Sequence, residues 1–178
     1  MAMKKSAHVI LLAGVTLLLV IVANLVVASN NRVQPTATSS SVVTQERKSA
    51  NRDDLLALVN AERLEQGARP LVIDATLDAS AQRKADELQT EGVLNNNPHV
   101  NSRGIQGFTY AYDLGVQCVT VSENIVWSRL RANITSEEAF AAWVDSEAHY
   151  ATMIDQKYDT TGFGFAGANV VQHFCDKS

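Results

Sequence analysis

Three short stretches of this chain carry residue types that can do chemistry. They are Asn97-Pro98-His99, Ser122-Glu123-Asn124 and the run from Trp143 to His149. An imidazole, a carboxylate and a second imidazole from separate elements suit a divalent metal with an open coordination position, or an acid/base pair. Glu123 stands out because it falls in an apolar run, where a carboxylate is costly unless paired or hydrogen-bonded. The plain alternative for it is a salt-bridged glutamate on an edge strand. His99 sits in a loop, where a solvated histidine is the plain alternative. His149 ends a helical stretch that contains Trp143, and Asp145, four residues earlier, would orient its ring if that helix is continuous. Glu147, two residues away, points to another face. His173 reads as a structural or surface residue on the last strand.

The elements that must position these groups are legible from period and caps. Asp53 or Asp54 caps a helix starting at Leu55, with Leu55, Leu56, Val59 and Leu64 near helical spacing and Gly67 at its end. A second helix is expected from about Thr76 to Glu91. Its apolar stripe is Leu77, Ala81, Ala85 and Leu88, with charged Arg83, Lys84, Asp86 and Glu87 between. Residues 105–114 fit a strand or a short helix. Alternation from Val119 to Trp127 predicts a strand with Glu123 on the face of Val121 and Ile125. Thr135-Ser-Glu-Glu138 is a capping box ahead of a helix to about Ser146, with a turn or short helix after it through Ile154. Residues 162–166 and 169–175 flank Gly167-Ala168 as a hairpin. Helices, a strand, a helix and a hairpin make an α+β domain with an antiparallel sheet covered by helices.

The first 50 of the 178 residues have another character. Lys4 and Lys5 precede an uncharged run of 20 residues, Val9 to Ala28. A helix of that length spans about 30 Å, enough for a bilayer. It reads as a transmembrane anchor or a signal helix, since Val26-Val27-Ala28 also offers a cleavage site. Residues 1–8 are then cytoplasmic, and the chain beyond the apolar run is extracytoplasmic or secreted. Residues 29–50, rich in Ser and Thr, form a flexible linker. Residues 51–178 form one domain.

Residues 1–50 hold 5 Lys and Arg against 1 acidic residue, whereas residues 51–178 hold 10 against 18. An acidic domain repels phosphate backbones, which argues against a nucleic-acid partner. Cys118 and Cys175 are free to pair in an oxidising compartment, or to stay as two buried thiols. No HExxH, CxxC or GxSxG motif occurs.

In order, these segments resemble the CAP superfamily, or SCP domains, in its bacterial branch. The resemblance rests on Leu58-Val-Asn-Ala-Glu-Arg63 with Gly67 and Pro70-Leu71, Leu77 to Ala81, His99, Glu123-Asn124-Ile125, Trp143 to His149, Gly162-Phe-Gly164 and Gln172-His-Phe174. It covers about residues 51–175. Ser122 stands where the family usually has Gly, Glu147-Ala148 replaces Pro-Gly, and the position of a second cleft glutamate is Ser146. The resemblance implies a three-layer α-β-α sandwich with His99, Glu123 and His149 facing a cleft. Some members bind a divalent metal there; others bind sterols, lipids or proteins.

Three readings are open. In the first, the domain binds an envelope ligand, a lipid, wall component or protein, and its apolar N-terminal helix engages the membrane. In the second, it is a metal-assisted hydrolase. His99 and His149 hold Zn²⁺ or another divalent ion there, and Glu123 is a third ligand or the general base. In the third, it is a rigid domain whose polar trio is only structural. Whether the site is catalytic stays open.

Overall fold

The computed structural model describes residues 47–178. The expected cytoplasmic segment, apolar helix and most of the linker lie outside the described residues. Residues 47–50 belong to the domain: the Ala50 amide donates to the Ile134 carbonyl at 2.8 Å, and Asn133 Nδ2 donates to Ser49 Oγ at 3.1 Å.

Among the described residues the fold is mixed α/β, with five helices and a four-stranded sheet. The elements run α1 (Arg52–Glu65), β1 (Val72–Ile73), α2 (Ala75–Glu91), α3 (Thr109–Asp113), β2 (Thr120–Val126), α4 (Ser136–Val144), α5 (Glu147–Ile154), β3 (Thr160–Ala166) and β4 (Asn169–Asp176). The sheet order is β1-β3-β4-β2, so β2 is an edge strand. β2, β4 and β3 are antiparallel, as expected. The two-residue β1 pairs with β3 in parallel. The sheet is therefore mixed, not purely antiparallel.

Caps account for several boundaries. Asn51, not Asp53 or Asp54, caps α1, accepting from the Asp54 amide at 3.1 Å. Asp74 caps α2, and Gly92 closes it with φ +73°, a conformation glycine adopts without cost. The capping box at α4 is complete: Thr135 Oγ1 accepts from the Glu138 amide and Glu138 accepts from the Thr135 amide. The ambiguous stretch is helical at α3.

Helices cover both faces. Leu55 and Val59 of α1, Trp143 of α4 and Met153 of α5 pack with Phe163, Val170 and Phe174 of the sheet. On the other face Leu77, Ala81, Ala85 and Leu88 of α2 meet Val121, Ile125, Val171 and Cys175. The approach of α2 to β3 is close because Gly162 and Gly164 lie beneath it; a Cβ at either would run into the α2 backbone. Burial of both faces supplies the main driving force for this arrangement. The Cys118–Cys175 disulfide forms, with Cα atoms 5.6 Å apart, and ties the approach to β2 onto β4.

Lys84, expected between apolar positions as an ordinary charged residue, is fully buried, as is Arg63 of α1. Arg63 donates to four backbone carbonyls, those of Arg69, Met153, Asp155 and Tyr158, at 2.7–3.0 Å. It thereby clamps the end of α1 to the α5–β3 connection.

Candidate functional site

Strand alternation assigns the consecutive residues of Ser122-Glu123-Asn124 to opposite faces. Glu123 points to the α2 face, where His99 Nδ1 lies 2.8 Å from Oε1 and His173 Nε2 lies 2.9 Å from Oε2. Asn124 points to the other face, where its Nδ2 donates to the His149 carbonyl at 2.9 Å. The two site histidines are thus held from opposite faces of one edge strand. Their rings meet with centroids 6.3 Å apart and planes tilted by 49°.

An ionised carboxylate only accepts, so both imidazole nitrogens that touch Glu123 carry protons. His99 therefore donates through Nδ1, and its Nε2 has no hydrogen-bond partner among the described residues. Burial alone would push the Glu123 carboxyl up, but the hydrogen bonds from His173 and His99 outweigh it and hold it below the usual glutamate value. The His149 imidazole is shifted down, first by burial and then by the neighbouring charge of His99. Its Nδ1 is buried and has no hydrogen-bond partner among the described residues.

Of the structural or surface role expected for His173, the surface alternative is overturned: it is fully buried and bonds directly to Glu123. Its Nδ1 lies 2.6 Å from Ser80 Oγ on α2, and Ser80 also reaches the Leu77 carbonyl at 3.0 Å. The signal was the register Glu123↔His173, which puts two same-face side chains side by side once β2 and β4 are aligned. Asp145 does not orient His149. It is the C-cap of α4, and α5 begins after Ser146, so the helix is not continuous.

The loop carrying His99 is anchored by a second buried network. Lys84 Nζ donates to Glu87 Oε1 at 2.6 Å, while Asn101 Nδ2 at 2.8 Å and the Tyr110 hydroxyl both donate to Glu87 Oε2. Burial raises the Glu87 carboxyl, but these donors more than offset it and the net shift is downward. Gly107 donates its amide to the His99 carbonyl at 2.9 Å. Its backbone passes so close to Glu123 and Lys84 that a Cβ there would collide with Glu123 Oε2 and lie 2.6 Å from Lys84 Cδ. Lys84, Gly107, Ser80 and His173 are all parts of the site that sequence reasoning missed.

The donor set suits a divalent ion in part. His99 has a carboxylate behind Nδ1, the arrangement that fixes the tautomer of a ligating histidine. In this arrangement both Glu123 oxygens accept from imidazoles, so Glu123 stands behind His99. Among the described residues no group of three or more His, Cys, Asp and Glu is placed to hold an ion. Two neighbouring imidazoles, those of His99 and His149, are what this place offers.

The order of these residues along the chain, and the fold that presents them, match a known family model over residues 56–175, that of the cysteine-rich secretory protein family, CAP. The chain belongs to this family. The CAP domain here is 30% identical over 131 residues to the protein YkwD of Bacillus subtilis (strain 168), a match that covers 72% of this chain and 48% of YkwD. The chain thus spans about half the length of that curated relative. The same CAP fold occurs in an extracellular protein containing an SCP domain from Bacillus anthracis str. Ames. That match has a TM-score of 0.62 and 17% identity, and it covers 70% of this chain and 40% of the other. An outer surface protein of Borrelia burgdorferi matches with a TM-score of 0.61 and 17% identity, over 74% of this chain and 99% of that one.

Proposed function

We propose that this CAP domain works outside the cytoplasm, tethered through its apolar N-terminal segment or released, and binds an envelope ligand between His99 and His149. The observation that carries the reading is the pair of facing imidazoles with unused hydrogen-bonding capacity. His99 Nε2 is left free by the bond to Glu123, and His149 Nδ1 is buried without a partner among the described residues. Buried polar atoms are ordinarily satisfied, so an unpaired one at a cleft marks a place for a ligand. Relatives described as an extracellular and an outer surface protein support the location. A lipid headgroup, wall fragment or protein segment that offers both a donor and an acceptor would suit the pair. Fractions of envelope extract are tested for thermal protection of the full chain and of His149→Ala. Protection of the first and not the second is expected; equal or absent protection rejects the cleft as the binding place.

A second reading is a metal-assisted hydrolase, favoured by the Glu123–His99 bond. His99 and His149 would hold Zn²⁺ or a similar ion, which would supply Lewis acidity and a more acidic bound water. Glu123 would then fix the His99 tautomer from behind. Calorimetric titration with Zn²⁺ decides it. One-to-one binding lost in His99→Ala supports the metal; no heat in either protein removes it.

A further inference from the structure

The loop after β2 exposes a leucine between two arginines. Leu130 is 97% exposed, more than any other large apolar residue described. Arg129 and Arg131 flank it and are themselves exposed. Arg129 Nη2 donates to the Val93 carbonyl at 2.5 Å and its guanidinium lies 5.2 Å from the Trp127 ring. It has no carboxylate partner among the described residues. Beside the loop is a cavity of about 310 Å³ lined by Trp127, Arg129, Arg131, Gln89 and Asn169, with no acidic residue in its lining. This is an unusual neighbourhood in a domain whose acidic residues outnumber its basic ones 18 to 10 over residues 51–178.

The loop also lies where the chain enters the domain. Ser49 is bonded to Asn133, Ala50 to Ile134, and Glu138 is shared by Arg47 and Arg131. The nearby carboxylates are Glu138, the exposed Glu137, Asp54, which matches Lys48, and Asp53, which matches Arg52. Arg47 and Arg131 share Glu138, while Arg129 has no carboxylate partner among the described residues. The described chain begins at Arg47, beside this loop.

We infer that the Arg129-Leu130-Arg131 loop, with Arg47, is a docking surface for an anionic phospholipid bilayer. Leu130 enters the interface, Arg129 and Arg131 take headgroup phosphates by their planar donor forks, and the acid-free cavity beside them receives a headgroup. Charge complementarity and the site of chain entry both select the membrane as occupant. The inference extends the tethered reading above, but the two can fail separately.

The test uses the full chain mixed with vesicles of phosphatidylcholine alone or with phosphatidylglycerol. Flotation reads the tether. A nitroxide at Leu130→Cys, compared with one at Leu64→Cys on the far end of α1, reads docking through its accessibility to oxygen and to a water-soluble nickel chelate. Expected is flotation with both vesicles, with membrane contact at position 130 only when phosphatidylglycerol is present. Exchange of Arg129 and Arg131 for Gln should lower the contacting population at least about tenfold, since each basic residue near such a surface contributes roughly fivefold. Flotation with equal exposure at 130 and 64 overturns the docking surface and leaves the tether. Flotation only with phosphatidylglycerol, lost in Leu130→Ser, removes the tether and keeps the surface. No flotation with either removes both. Binding to soluble polyphosphate that matches the vesicles and ignores Leu130→Ser overturns the lipid as partner.

Discussion

His173 and Glu123 lie directly opposite each other on β4 and β2, with Nε2 and Oε2 2.9 Å apart, and both are almost completely withdrawn from solvent. The pair makes the carboxylate a fixed acceptor, and its other oxygen holds His99. Glu123→Gln replaces one acceptor with an amide that faces an imidazole N–H. We expect a loss of about 2–3 kcal/mol in urea unfolding, the cost of leaving a buried donor unpaired. Imidazole ¹⁵N shifts should show His99 no longer held in its Nδ1–H tautomer. Unchanged shifts would mean that Glu123 does not orient His99.

The same residues set two acid windows. Glu123 has a folded value below its ordinary 4.5, so the stability it contributes is full above that value and is lost as pH falls through the folded one. His149 also titrates lower when folded than its ordinary 6.5. The unfolded chain therefore takes up that proton first, and stability declines as pH drops from about 6.5 toward the folded value. Denaturation midpoints measured from pH 8 to 3 should fall in both windows. His149→Gln should flatten the upper one, and Glu123→Gln should make the lower one shallower, since Glu87, Asp74 and Glu138 are held down as well and keep part of it. A wild-type profile that is level between pH 7 and 5 would contradict the burial of His149.

Gly107→Ala puts a methyl group against Glu123 Oε2 and the Lys84 stem. Neither side chain is free to move away, because each is bonded on its far side. Overpacking of this kind costs about 1–3 kcal/mol. The variant should also disturb His99, whose carbonyl accepts from the Gly107 amide. Retention of both wild-type stability and the His99 resonances would show that the loop yields.

The Cys118–Cys175 bond closes a separation of 57 residues. Chain entropy puts its contribution near about 4 kcal/mol. Cys118→Ser with Cys175→Ser should lower the urea midpoint accordingly, and dithiothreitol should do the same to the wild type but leave the double variant unaffected.

Arg63→Lys keeps a charge and loses the fork that serves four carbonyls. One ammonium with three protons cannot reproduce that geometry, and we expect about 2–3 kcal/mol of destabilisation. A change under about 0.5 kcal/mol would show that water replaces the lost donors.

The sequence by itself determined the local features. The 3.6-residue stripe of α2, the Thr135 capping box, the alternation of β2 and the Gly167-Ala168 hairpin each depend on residues a few positions apart. The succession of short motifs around His99, Glu123 and His149, which carried the resemblance to the CAP family, is likewise read from the order of residues along the chain alone. Tertiary structure decided what lies between those elements. His173 looked ordinary because its partner is 50 positions away, and only the β2–β4 register makes them neighbours. Lys84 looked like a solvated helix residue until the 94–107 loop closed over it with Asn101 and Tyr110. Asp145 sat at the right helical spacing from His149, but the break at Ser146 removed the geometry that spacing assumes. Periodicity and capping report short-range forces, whereas burial and pairing of charged groups are settled by distant segments that meet only in the folded chain.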